Sequence, residues 1–302
     1  MPEAPDAIRR LAEERTRRRA EGDYAAADEL RTRISEAGYR VHDRPDGSYE
    51  LSRDRPVRTR RVPAGSVSSA LEDPPTADWS IHWLHEGWAE DVARGISSFR
   101  RWSGGRRLHQ VVVESVPAEP GTWPDDVEVL PLDRDPGFGA ARNTGLRRSR
   151  GRLVAVVDGS IEATGDVLGP LEATLADAAV GVAGPVTTTT EDLREFREAR
   201  GPEVDVVEAY LMAFRRGVLE AGVAFDRRYR FYRAADVDLC FQVKARGLRV
   251  VRVDVPIRRH EHRAWAALPP DRREALSKRN FYRFLERFGG RADLLARGLP
   301  MG

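Results

Sequence analysis

The sequence predicts an α/β fold preceded by a small helical module. Three observations carry that expectation. From about Asp78 onward, short apolar runs alternate with stretches of helical periodicity, as in a sheet whose strands are joined by helices. Residues before about Ser52 read instead as two helices and a hairpin. Between the two zones, the chain from Arg53 to Thr76 is poor in apolar residues and rich in proline and serine, the composition of a flexible linker. Domains are therefore expected at 1–52, 53–77 and 78–302, the middle one being the linker.

In the amino-terminal module, Ile8, Leu11 and Ala12 mark a first helix that runs into Arg17, Arg18 and Arg19. Ala27, Leu30, Ile34 and Ala37 recur at steps of three and four, so they share one face of a second helix. Asp23 suits its N-cap and Gly38 its stop. Pro45, Asp46 and Gly47 then stand between two short alternating runs. Proline presets φ and glycine accepts a positive one, so a β-hairpin is expected.

In the large domain, strands are expected at 79–84, 110–114, 127–132, 153–157, 180–183 and 249–255. Helices are expected at 90–102, 165–176, part of 206–217, and 236–246. This alternation predicts parallel strands. Pro269, Pro270 and Asp271 open a closing amphipathic helix that Gly289 and Gly290 end. Its stripe of Phe281, Phe284, Leu285 and Phe288 is expected to pack on the domain. With Arg279, Arg283 and Arg287 beside it, peripheral contact with an anionic membrane is the alternative.

Hydrophobic residues make up 41% of the 302 and charged residues 32%, which suits a packed core and excludes wholesale disorder. The 50 Lys+Arg against 48 Asp+Glu leave a formal charge of +2, which argues against a surface moulded throughout to nucleic acid. The single cysteine, Cys240, excludes an internal disulfide, a Cys-rich zinc site and an iron–sulfur cluster. No run approaches the roughly 20 apolar residues of a membrane span. The first residues lack the apolar stretch of a signal peptide. A soluble, cytoplasmic protein is expected.

Ligands of α/β sheets collect at the carboxyl ends of the strands, so the residues just after each strand are the candidates. The run 153–157 leads into Asp158, Gly159 and Ser160, a carboxylate followed by a glycine that lets backbone approach a ligand. The segment 133–145 holds Gly137, Gly139 and Gly145. It reads either as a cradle for a phosphate or sugar, with Arg142 neutralising a diphosphate, or as a Gly-rich turn starting a helix. Asp236 opens a helix as either a cap or a general base. His260 and His262 share a face only in an extended chain. As a lone pair they read more plainly as surface histidines.

Taken in order, several pieces resemble glycosyltransferase family 2 over about residues 79–288. They are Gly137-Phe138-Gly139-Ala140-Ala141-Arg142-Asn143-Thr144-Gly145, the strand ending in Asp158, Phe225-Asp226, Asp236-Val237-Asp238-Leu239-Cys240, and the stretch from Ser277 to Leu285. The resemblance implies the GT-A nucleotide-diphospho-sugar transferase fold, a Rossmann-like mixed sheet. It implies an inverting enzyme that moves a sugar from a nucleotide-diphospho-sugar to the hydroxyl of a glycan, a lipid-linked or a small-molecule acceptor. Asp236 would be the base, and His85, Glu86, Glu114, Gly139, Arg142, Asn143 and Asp158 would surround the nucleotide-sugar. Asp158, Ser160, His260 and His262 would surround a divalent metal, Mg²⁺ or Mn²⁺.

The chain departs from that family at four places. Ser160 stands where the metal motif has its second acid, and Ala235 where a glutamate precedes the base. Glu114-Ser115 replaces a strand-ending aspartate, and His85-Glu86-Gly87 replaces a Thr-x-Asn segment. Asp158, Ser160 and Glu162 share a face if the stretch is extended, which makes Glu162 a substitute ligand. These departures define the alternative reading, a catalytically degenerate GT-A domain acting as a binding or adaptor module.

The arm from Arg18 to Leu51 resembles the carboxy-terminal helical domain of cysteinyl-tRNA synthetases, through Gly22-Asp23-Tyr24-Ala25-Ala26-Ala27-Asp28-Glu29-Leu30-Arg31 and the hairpin that follows. The resemblance implies RNA contact through Arg17, Arg18, Arg19, Arg31 and Arg33. The acidic residues beside them favour a small docking module, because counterion release needs clustered positive charge.

Overall fold

The computed structural model describes residues 5–37, 39–44, 48–53, 61–199 and 201–296, in two units, Met1–Thr59 and Arg60–Gly302. The expected Gly38 stop, the Pro45-Asp46-Gly47 turn and linker positions 54–60 lie outside the described residues.

The smaller unit pairs helix α1 (Asp6–Ala20) with α2 (Tyr24–Glu36), followed by strands β1 (Tyr39–Asp43) and β2 (Tyr49–Arg53). Asp23 caps α2 as expected, accepting from the Ala26 N–H at 3.1 Å. Ile8, Ala12 and Ile34 form its core, with Leu11, Tyr39, Val41, Tyr49 and Leu51 against them. Ala37, expected on the buried face, is exposed. β1 and β2 pair antiparallel with Val41 opposite Leu51. Arg15 is buried and holds Asp43 through two bonds, at 2.6 and 3.0 Å. Arg19 also bonds Asp43, and Arg18 bonds Glu14. The arm thus neutralises much of its own basic run.

The larger unit runs β3 (Ala77–His85), α3 (Ala89–Arg101), β4 (Leu108–Glu114), β5 (Glu128–Pro131), α4 (Phe138–Leu146), β6 (Gly151–Val157) and β7 (Ile161–Ala163). It continues with α5 (Leu168–Leu175), β8 (Val180–Gly184), β9 (Thr187–Thr190), β10 (Phe196–Glu198), β11 (Val206–Val207), β12 (Leu211–Arg215) and α6 (Arg216–Glu220). It ends with α7 (Ala235–Lys244), β13 (Arg249–Arg252), β14 (Ile257–Arg259), α8 (Arg263–Ala266) and α9 (Pro270–Phe288). Seven strands form one sheet in the order β13-β8-β12-β6-β3-β4-β5. Helices cover both faces, so alternate residues of one strand serve different cores. Leu153, Ala155 and Val157 of β6 join α3 and α5, whereas Val154 and Val156 join α4, α7 and α9.

All six expected strands of this unit form, and the sheet is mixed, as the resemblance implies, the parallel order expected from the alternation being broken at β12. That strand runs antiparallel to both β6 and β8. The helix expected within 206–217 is here mostly β11 and β12, and only α6 follows. Leu211, Met212, Ala213 and Phe214 are helix-tolerant residues buried on both faces, so no periodicity separates the two states and the sheet position decides.

The linker also needs correcting. Described residues 61–76 pack onto the larger unit: Val62 bridges to Leu132 beside β5, and Ala70 is buried. Arg216 reaches across to the carbonyls of Ala70 and Leu71, at 3.2 and 2.6 Å. Backbone hydrogen bonding orders this stretch where apolar content predicts none. The closing helix packs as expected, burying Phe284 and Phe288. Among the described residues, no helix is long and apolar enough to cross a membrane.

Candidate active site

A cavity of about 650 Å³ opens where β3 and β6 end, and Glu86, Arg142, Asp158, Asp236 and His262 all line it. β3 and β6 are neighbours whose connections leave in opposite directions, the switch point at which open α/β sheets bind ligands.

Asp158 follows β6 and is fixed at both ends. Its N–H donates to the Tyr210 carbonyl at 2.9 Å, and Oδ1 accepts from the N–H and the hydroxyl of Ser160, at 2.9 and 2.5 Å. Oδ2 faces His262 Nε2 at 3.5 Å. His262 Nδ1 accepts from the Trp265 N–H at 3.1 Å, so in the neutral ring Nε2 carries the proton and points it at Asp158. Tyr232 stacks on this imidazole, with ring centres 4.5 Å apart.

Arg142, on α4, is buried. Its guanidinium donates to the carbonyls of His82 and Val157, at 3.2 and 3.1 Å, where β3 and β6 run out. No ion pair engages it among the described residues, and its Nε has no partner. Burial lowers its pKa, while Asp158 and Glu86 pull it back up. Glu86 is pushed the other way. Crowding by protein, then the charges of Asp158 and Asp135, raise its carboxyl above the usual range against the pull of Arg142. Water still reaches the side chain, which limits that rise.

Asp236 sits in the first turn of α7. Oδ1 accepts from the Val237 N–H at 2.9 Å and Oδ2 from the Ala209 N–H at 3.1 Å. Burial drives its carboxyl upward against those bonds. Ala234, the residue before the helix, is left-handed at φ 64°, a strained turn for a residue with a Cβ.

Residues 110–236 match the sequence family Glycosyl transferase family 2, and residues 1–49 match the Cysteinyl-tRNA ligase anticodon binding domain. The larger unit contains the stretch that matches the family 2 glycosyltransferases. Among solved structures, the chain is similar to GalNAc-T7 with UDP, GalNAc and Mn²⁺, with a TM-score of 0.57 and 13% identity over 70% of this chain and 48% of that one. It is also similar to the mannosyltransferase PcManGT from Pyrobaculum calidifontis in complex with GDP-Man and Mn²⁺, with a TM-score of 0.53 and 17% identity over 76% and 71% of the two chains. At these identities the likeness shows a shared fold, the GT-A fold. The chain spans about half the length of the first of these structures. No curated protein sequence matches it.

Several residues expected at the glycosyltransferase site do other work. Asn143 is spent on the backbone of Phe225, donating to its carbonyl at 2.7 Å and accepting from its N–H at 3.0 Å. Gly139 allows a close approach, since a Cβ there would lie 2.4 Å from the Asp226 carbonyl oxygen. Neither lines the cavity. His85 is buried edge-on to Trp123. Glu114 accepts from Trp123 Nε1 at 2.5 Å and faces Arg61 at 3.5 Å, also away from the cavity.

Two of the four expected metal ligands are likewise occupied. Ser160 is buried against Asp158, and His260 Nε2 bonds Glu162 at 2.7 Å because the β7–β14 pairing turns both outward together. Glu162 is therefore no substitute ligand. Among the described residues, no group of three His, Cys, Asp or Glu side chains could hold a metal. Asp158 and His262 do meet, and such a pair fits an ion whose other ligands are phosphate oxygens and water. An ion on Nε2 must first displace the proton held there.

Sequence reasoning overlooked Glu208, Tyr210, Tyr232, Arg194 and Arg233, which line the same cavity. Tyr232 and Arg233 lie just before Asp236, so proximity to the expected base was a usable signal. Glu208 carried none, because its neighbourhood read as helix.

Proposed function

We propose that the glycosyltransferase domain moves a sugar from a nucleotide-diphospho-sugar to an acceptor hydroxyl, with inversion at the anomeric carbon. One observation carries this reading: Arg142, Asp158, Asp236 and His262, from four separate stretches of chain, line one cavity. The nucleotides and Mn²⁺ bound by the two similar proteins support it.

Arg142 places a buried guanidinium where a diphosphate gains negative charge on leaving, in surroundings that strengthen the attraction. Asp236 accepts the proton of the acceptor hydroxyl as its oxygen bonds the anomeric carbon and the bond to the diphosphate breaks. Its two backbone donors hold the carboxylate in place, and burial raises its basicity. A base and a leaving group on opposite faces of the sugar give inversion. A divalent ion held by Asp158 and His262 supplies Lewis-acid charge beside the phosphates when bound.

Thermal shifts with UDP-, GDP-, dTDP- and ADP-sugars, with and without Mn²⁺, test the donor assignment. A donor at 100 times its Kd stabilises by about 2.7 kcal/mol, and no shift with any of the four overturns the reading. Ser160 and Ala235 favour the second reading, a domain that binds without transferring. Donor binding with equal, negligible turnover in parent and Asp236→Asn would select it. For the amino-terminal arm we favour docking to a protein over RNA, because Arg15, Arg18 and Arg19 are paired to acids. Retention of tRNA by the full chain in a mobility-shift assay would reverse that choice.

A further inference from the structure

Glu208 has no role in the reading above. It lies between β11 and β12, is half-buried, and lines the same cavity as Asp236. No hydrogen bond or ion pair engages its carboxylate among the described residues. The next residue, Ala209, donates its N–H to Asp236 Oδ2 at 3.1 Å, so the strand connection carrying Glu208 is fastened to the Asp236 carboxylate itself. Asp236 likewise has no cation in ion-pair contact among the described residues, only backbone donors. Two carboxylates therefore line one cavity, neither of them in ion-pair contact with a cation among the described residues. On α7 the position before Asp236 is Ala235, and the carboxylate of Glu208, from outside that helix, lines the same cavity.

We propose that Glu208 is a positioning residue for Asp236, the two carboxylates forming one proton-holding pair at the acceptor side of the cavity. The proposal rests on the reading of Asp236 as the base. Two close carboxylates cannot both ionise cheaply, so they release protons as a pair. Burial raises the Glu208 carboxyl and the charge of Asp236 raises it further, while Arg233 and Arg259 oppose both. The other charged or titratable groups lining the cavity are Glu86, Arg142, Asp158, Arg194, His262, Glu274 and Lys278. Tyr210 and Tyr232 complete the set. In transfer, the acceptor oxygen bonds the anomeric carbon, the diphosphate leaves with the electron pair of its bond, and the acceptor proton passes to the pair.

A double-mutant cycle in melting temperature tests the pairing without requiring activity, using Glu208→Gln, Asp236→Asn and the double variant of the full chain. Both carboxyls lie above their unfolded values, so the stability they contribute is present at low pH and lost as pH rises. Removing either charge at pH 8 should raise Tm by about 2–4 °C. Each single change also removes the mutual repulsion, so the double variant should gain less than the sum, and the coupling should shrink as pH falls to 4. Additive gains at pH 8 overturn the proposal. Where donor hydrolysis is measurable, Glu208→Gln should move its acid limb down by about one pH unit, which a purely structural role would not do. An unmoved limb overturns the proposal as well. Absence of donor binding in the nucleotide-sugar panel counts against the transferase reading alone, because the cycle reports on the pair directly.

Discussion

Asp158 Oδ2 stands 3.5 Å from His262 Nε2, although one residue follows β6 and the other lies between β14 and α8. Each is held from behind, Asp158 by Ser160 and His262 by the Trp265 N–H. The expected metal pair is thus Asp158 with His262, and His260 is excluded by its bond to Glu162. Mn²⁺ binding measured by water-proton relaxation in the presence of a nucleotide should weaken at least about tenfold in Asp158→Asn and His262→Ala. It should be unchanged in His260→Ala. Equal losses in both histidine variants would refute the assignment.

Asp236→Asn should lower sugar transfer and donor hydrolysis by about 10²–10⁴-fold while leaving donor affinity near its parent value. The amide keeps the shape, although its single oxygen accepts from only one of the Ala209 and Val237 N–H groups, which bond different oxygens of the carboxylate. A proportional loss of donor affinity would mean that Asp236 binds the donor instead.

Asn143→Ala should cost about 2–3 kcal/mol of unfolding free energy, because it strips both the N–H and the carbonyl of Phe225 of their buried partner. The thermal shift produced by a bound nucleotide-sugar should keep its size. A selective loss of that shift at unchanged stability would return Asn143 to the ligand site.

His82 sets a pH dependence. Burial, the first cause, pushes its pKa from 6.5 down to about 3, and its Nε2 meets the Ser149 hydroxyl at 2.8 Å. The folded ring stays neutral where the unfolded chain takes a proton. Its contribution is therefore present above pH 6.5 and is lost as pH falls toward 3, at up to about 1.4 kcal/mol per pH unit. Denaturant unfolding of His82→Gln should show a flatter acid limb over that window, and an unchanged limb would place the acid sensitivity elsewhere.

The legible parts of this molecule are those where one physical signal dominates. β3, β4 and β6 are covered by helices on both faces, and their apolar runs stand out in the chain. Asp158 stood out because it follows such a strand at the end where ligands gather, and Asp236 because it falls in the first turn of a helix. β12 was not, since a central strand and a buried helix can share a composition. The stretch 61–76 was misread because scattered contacts order it. The Val62 N–H bonds the Pro131 carbonyl, the Ala70 N–H the Arg147 carbonyl, the Arg216 side chain donates to the Ala70 carbonyl, and a few apolar residues pack on the core.

The sugar-nucleotide chemistry was what the motifs' resemblance to family 2 glycosyltransferases implied, whereas composition and periodicity were enough to state the α/β class and the helical arm. They act through local propensity and through which residues must leave water, and both are written along the chain. Folding settled that His262 and not His260 turns toward Asp158, that Asn143 and Gly139 brace the backbone, and that Glu208 and Asp236 line one cavity. Those outcomes depend on strand pairing and side-chain packing between segments remote in sequence, which no local pattern encodes.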